Sequence, residues 1–103
     1  MSAKQILTEN NLHESVWGRR IISAESTGKF TSFDLENSAD WVTCACGYRS
    51  ELIETDEIGA PIDSLLFNKG AEFYLSVAMN RYEDAAKALV AIEQRAVMLA
   101  NST

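Results

Sequence analysis

The most regular hydrophobic pattern lies in the last forty residues of the chain, where apolar side chains recur at steps of three and four. Such spacing places them on one face of a helix. Asn80-Arg81-Tyr82-Glu83 has the form of a capping box, and a link this short makes two neighbouring helices run antiparallel. The sequence therefore predicts a helical hairpin over residues 61–101. The stripe consists of Ile62, Leu66, Phe73, Val77, Tyr82, Ala85, Leu89, Ile92, Ala96 and Leu99.

The central part of the chain has a shorter period. Phe33 and Leu35 alternate with Asp34 and Glu36, which is typical of a half-buried strand. We interpret residues 20–26, 30–36 and 41–46 as three strands, joined by turns at 26–29 and 37–40. Short turns between consecutive strands favour an antiparallel meander. This region therefore predicts a three-stranded antiparallel sheet over 19–47.

The N-terminal region begins with a capping box, in which Ser2 caps a helix and Gln5 follows three residues later. We expect a short helix over about 3–12 and a connection that ends at Gly18. The expected fold class is α+β, with the sheet packed on the C-terminal helical hairpin. The whole chain reads as a single domain over 1–103, which comprises residues 1–18, the sheet 19–47, an acidic loop 48–60 and the hairpin 61–101.

Charge and composition restrict the functions that the chain can have. Its 103 residues carry 15 acidic and 9 basic side chains, for a net charge of −6. General binding to a phosphate backbone needs clustered Lys and Arg, so direct nucleic-acid binding is not expected. No apolar run approaches the ~20 residues of a membrane helix, and MSAKQILTEN lacks a signal-peptide pattern. We therefore expect a cytoplasmic protein with reduced thiols and no membrane partner.

The stretch WVTCACGYRS raises the question of metal or redox chemistry. In a strand, Cys44 and Cys46 would share one face with Val42, and Trp41 would lie on the other. The spacing is unsuited to a disulfide and lacks the C-x-x-C form of a redox pair. A zinc site at the two cysteines is incomplete, because the chain has one histidine, His13, and no further cysteine. Asp or Glu side chains, or a second subunit, would have to supply the remaining ligands. The favoured interpretation is two core thiols facing the helices; a zinc-binding structural domain is the alternative.

No catalytic set and no cofactor site is evident in the sequence. The sequence does suggest two candidate binding surfaces. The first is an acidic cluster that, with Trp41, would contact a protein partner; its carboxylates are Glu51, Glu54, Asp56 and Glu57. The second combines aromatic and guanidinium groups that could hold a nucleotide by stacking and by phosphate contacts; its members are Trp17, Arg19, Arg20, Arg49 and Trp41.

One further feature is a resemblance that covers a little over half the chain, from Trp41 to Leu99. A tryptophan precedes Cys-Ala-Cys-Gly, an acidic loop with Pro61 and Asp63 follows, and a Gly-x-x-Phe-Tyr element begins at Gly70 before the ending Ile92-Glu93-x-Arg95. In these features the chain resembles a group of small, mostly uncharacterised phage-encoded proteins. The resemblance implies a phage or prophage setting, and no functional residue follows from it.

Setting and charge together suggest a function. Small acidic phage proteins often occupy a host protein, and nucleic-acid channels of defence enzymes are basic. We therefore expect a non-enzymatic inhibitor of a host bacterial defence complex, of the anti-CRISPR or anti-restriction type. The alternative from another class is a sponge that sequesters a nucleotide signal. Val90 and Val97 on the last helix could also support a homodimer.

Overall fold

The computed structural model describes residues 1–43 and 64–101, and every regular element in these two ranges is an α-helix. The predicted α+β class is therefore wrong, because two of the predicted strands and the start of the third lie in helices. Residues 44–46 of that third strand, the acidic loop and Pro61–Asp63 lie outside the described residues. The helices are α1 (Ala3–Glu9), α2 (Val16–Thr27), α3 (Ser32–Thr43), α4 (Ser64–Ala78) and α5 (Tyr82–Asn101).

Helix α1 begins where its capping box predicts. The Ser2 hydroxyl accepts a hydrogen bond from the Gln5 amide, and the Gln5 side chain accepts one from the Ser2 amide. A carboxylate from α2 completes the cap, because Glu25 accepts hydrogen bonds from the amides of Ala3, at 2.9 Å, and Lys4, at 3.3 Å. Negative charge is stabilising at a helix N-terminus, so this contact also joins α1 to α2.

Helix α2 replaces the first predicted strand. Its N-cap is Ser15, whose hydroxyl accepts from the Gly18 amide at 3.0 Å. The buried side chains Trp17, Ile21 and Ala24 are four and three residues apart, which is a helical spacing. The helix ends at Gly28, whose φ of 102° is a left-handed conformation that glycine adopts without steric cost. The predicted turn at 26–29 is present, but it follows a helix.

Helix α3 replaces the second predicted strand, and Phe33 and Asp34 have the opposite burial to that expected from the alternation. The Thr31 hydroxyl accepts from the Asp34 amide, and the Asp34 carboxylate accepts from the Thr31 amide. This reciprocal pair is a capping box, and it starts a helix where alternation indicated a strand. As a result Phe33 is 59% exposed while Asp34 is only 7% exposed. The half-buried strand implied that Phe33 faces the core, and this prediction is therefore wrong.

Helices α4 and α5 form the predicted hairpin, but their connection differs from the predicted capping box. Asn80 has a positive φ of 55°, and the Arg81 amide bonds back to the Ser76 carbonyl at 2.8 Å. This pattern closes the end of α4 as a Schellman motif. The Asn80 side chain accepts a hydrogen bond from the Phe30 amide at 2.8 Å, so it links the hairpin turn to the start of α3 instead of capping α5.

The core forms where the last helix meets its neighbours. Helix α5 packs against α1, α2 and α4, while α3 packs against α4 and α1 against α2. The alanine-rich inner face of α5 permits close helix approach, since Ala85, Ala86 and Ala88 are all buried. The largest fully buried side chains are Trp17, Phe73, Leu7, Ile21, Leu89, Ile92 and Val77.

Two glycines make a matched test of this packing. A Cβ added to Gly18 would collide with the backbone carbonyl of Leu12, whereas no atom of the residues packed against α4 in the described ranges lies within 4 Å of a Cβ added to Gly70. Gly18→Ala should therefore lower the free energy of unfolding by about 1–3 kcal/mol. Gly70→Ala in α4 should raise it by up to about 1 kcal/mol, because alanine favours the helix.

Urea unfolding followed by circular dichroism measures both glycine variants. Loss of stability in Gly70→Ala, or none in Gly18→Ala, would contradict the packing described above.

Candidate interaction surface

Most of the sequence-predicted partner surface falls in the range that the structure does not describe. Cys44, Cys46 and Arg49 lie there, as do all four carboxylates of the acidic cluster, Glu51, Glu54, Asp56 and Glu57. Trp41 is part of α3. The strand-based assignment of its face is wrong, because helical residues do not alternate between two sides. The roles predicted for these residues stay predictions.

Trp17, one member of the predicted nucleotide set, belongs to the core. Its side chain is 0% exposed, and the Phe73 ring meets it edge-on at a centroid distance of 4.9 Å. Aromatic pairs favour such an arrangement. The indole Nε1–H has no acceptor among the residues that the structure describes. A base could stack on Trp17 only after the core had opened.

Arg20 joins α2 to α3. Its guanidinium carbon lies 4.8 Å from the centre of the Trp17 ring and 5.1 Å from that of Phe33. Its Nε is 3.8 Å from Oδ1 of the buried Asp34 carboxylate. Two cation–π contacts and an ion pair therefore hold this side chain within the fold. The arrangement explains why Asp34 can be buried, since a buried carboxylate needs a compensating charge or hydrogen bonds.

Among the described arginines of the predicted nucleotide site, Arg19 is the exposed one. Trp17 is buried and Arg20 is engaged with Asp34, so the structure does not assemble these three side chains into an open stacking site. Because Arg49 lies outside the described residues, the set as a whole stays a prediction.

Two other titratable groups could bear on chemistry. The Nε2 of the partly buried His13 lies 3.5 Å from the carboxylate of the exposed Glu14. Burial raises the pKa of the Glu93 carboxyl above its usual value, and Oε2 of Glu93 has no hydrogen-bond partner within the described ranges. Across residues 1–43 and 64–101, no three His, Cys, Asp or Glu side chains are grouped so that they could hold a metal ion. The cysteine-based zinc alternative lies outside these ranges.

The hairpin carries several large apolar side chains on its outside. Leu65, Leu75 and Met79 fall on one outer side of α4 and its end, and they are 46%, 54% and 55% exposed. We name the exposed apolar group of the hairpin the outer hairpin surface; it consists of Leu65, Phe67, Leu75, Met79, Val97 and Met98. We treat it as a candidate interaction surface, because exposed apolar patches often mark interaction sites.

Sequence reasoning missed most of this surface. The signal was present, because α4 carries apolar residues at positions outside the stripe Leu66, Phe73 and Val77. Val97, which was expected to be available to a twofold partner, is 48% exposed, whereas Val90 packs partly against the core. The homodimer stays a prediction.

Comparisons with known proteins do not assign a family. No protein-family model, no curated protein and no solved structure matches this chain. In the part of the chain that the structure describes, no helix is long and apolar enough to cross a membrane.

Proposed function

We propose that this chain is a non-enzymatic interaction protein that inhibits a host bacterial defence complex, of the anti-CRISPR or anti-restriction type, in the host cytoplasm. The observation that carries the interaction role is the outer hairpin surface. Leucine, phenylalanine and methionine side chains there remain in contact with solvent, although the same helices bury their inner faces in the core. Burying such side chains against a partner would contribute about 25 cal/mol for each Å² removed from water.

Charge supports the choice of partner. The chain has a net charge of −6, and four of its 15 acidic residues fall within Glu51–Glu57. A basic channel that normally holds nucleic acid is complementary to such a segment. Apolar contact would then supply affinity, while the carboxylates would steer the encounter and compete with nucleic acid for the same channel.

The test begins with capture of bacterial cytosolic proteins on the full chain, followed by purification of the partner. Its binding to a labelled nucleic acid is then measured with and without this protein. We expect displacement of the nucleic acid, weakened by added salt because exposed charges are screened. The triple variant Glu54→Lys, Asp56→Lys and Glu57→Lys should weaken binding to the partner about tenfold or more, with an unchanged thermal midpoint.

The matched control reverses three exposed carboxylates elsewhere on the chain: Glu9→Lys, Glu14→Lys and Glu36→Lys. Both triple variants have the same net charge, so a general electrostatic effect would weaken them equally. Equal binding by the two variants would reject the acidic cluster as the contact surface. A partner that keeps its nucleic acid when saturated with this protein would reject the inhibitory role.

A further inference from the structure

A groove of about 380 Å³ lies between α4 and α5. It is an open surface groove, and both helices that line it also contribute to the core. Its lining includes three of the nine basic residues of the chain, Lys69, Arg81 and Lys87, together with the acidic residues Glu72 and Asp84. The groove is thus locally positive on a protein whose net charge is −6.

The basic side chains of the groove differ in whether they form an ion pair. Lys69 is occupied, because its Nζ lies 2.9 Å from Oε2 of Glu72 one turn along α4. The charged groups of Arg81 and Lys87 are exposed and have no side-chain partner among the described residues. Arg81 lies just before α5 and Lys87 lies within it, and both line the groove. The groove therefore offers two positive charges that form no ion pair with the described residues.

The same groove also offers an apolar contact. Leu75 lines it and is 54% exposed. A small inorganic anion could use the two cations and would leave Leu75 in water. A peptide segment with two carboxylates and an apolar side chain between them could use all three groups. In an extended segment, side chains at alternate positions share one face, so two carboxylates four residues apart lie on the same side as an apolar side chain midway between them.

We propose that the groove between α4 and α5 binds an acidic protein segment, with carboxylates at Arg81 and Lys87 and an apolar side chain on Leu75. Charge complementarity favours this occupant, because Arg81 and Lys87 have no side-chain partner among the described residues and line the groove together with an exposed leucine. None of the groove residues belongs to the acidic cluster of the proposed function, although Leu75 also belongs to the outer hairpin surface, so an acidic occupant here would add a contact of opposite charge.

Binding of a fluorescein-labelled nonapeptide, with two glutamates four residues apart and a leucine midway between them, tests the site on the full chain. Fluorescence anisotropy should show saturable binding below about 1 mM that weakens as salt is added. The variant Arg81→Glu with Lys87→Glu should bind about tenfold more weakly or worse. Leu75→Ser should also weaken binding, since it removes the apolar contact while its exposed position leaves the fold intact.

The matched control is Lys4→Glu with Lys29→Glu, which changes the net charge equally at exposed lysines away from the groove. It should bind like the unaltered protein, and the glutamine version of the peptide should not bind. Circular dichroism verifies that all variants are folded. Loss of binding in the Lys4 and Lys29 variant, binding of inorganic phosphate with no preference for the peptide, or no peptide binding at about 1 mM would each overturn the proposal.

Discussion

Replacing Trp17 with alanine is expected to lower the free energy of unfolding by about 3–5 kcal/mol. The side chain is fully buried, and its ring meets Phe73 of α4 and Arg20 of its own helix. Its removal would leave a cavity at the junction of α2 and α4, where the neighbouring side chains can collapse only partly. Because domains of this size have about 5–15 kcal/mol of stability in total, the midpoint of urea unfolding should fall steeply.

Two variants show whether burial is the cause. Trp17→Phe keeps an aromatic ring beside Phe73 and removes an indole N–H that has no described acceptor, so it should cost less than half as much. Phe33→Ala removes an aromatic side chain that also contacts Arg20 but is 59% exposed, and it should cost about 1 kcal/mol or less. A Trp17→Ala protein within 1 kcal/mol of the unaltered chain would contradict the described core.

Proline at Ser23 is expected to have an effect of similar size. Ser23 is exposed in the middle of α2, so its side chain contributes little packing. Proline there removes one backbone hydrogen bond and places its ring against the preceding turn, at a cost of about 3 kcal/mol or more. Urea unfolding measures the loss of stability, and far-ultraviolet circular dichroism at low temperature measures the loss of helix.

The control is Val16→Pro at the first position of the same helix. The amide at this position needs no partner within the helix, and Ser15 already has the extended conformation that residues before proline favour, with φ −67° and ψ 161°. We expect a change of about 1 kcal/mol or less. Equal costs for the two prolines would be incompatible with a helix that begins at Val16.

Some features of the candidate surfaces could be predicted from the sequence, and others could not. The exposed leucines and methionine of the hairpin could be predicted, because once α4 is a helix, apolar residues outside its inner stripe must lie elsewhere on it. The engagement of Arg20 could not be predicted, since its contacts with Phe33 and Asp34 depend on how α3 lies beside α2. The groove between α4 and α5 likewise exists only because two separate helices bring Leu75 and Lys87 to the same place.

Local patterns determined the ends of several helices. The Ser2 and Gln5 capping box and the break at Gly28 each involve residues within one or two turns, and the stripe of α5 repeats at steps of three and four, so their physical causes are visible in the sequence. The pair Thr31 and Asp34 was an equally local signal, and the alternation of Phe33 with Asp34 concealed it.

Only the tertiary structure decided between helix and strand for residues 20–43. A short run such as Phe33-Asp34-Leu35-Glu36 fits either period, and the outcome depends on which side chains find partners when the chain packs. Arg20 offsets the cost of burying Asp34, while the Asn80 side chain satisfies the Phe30 amide from fifty residues away. These interactions stabilise the helical arrangement, and no local pattern contains them, because their members meet only in the folded protein.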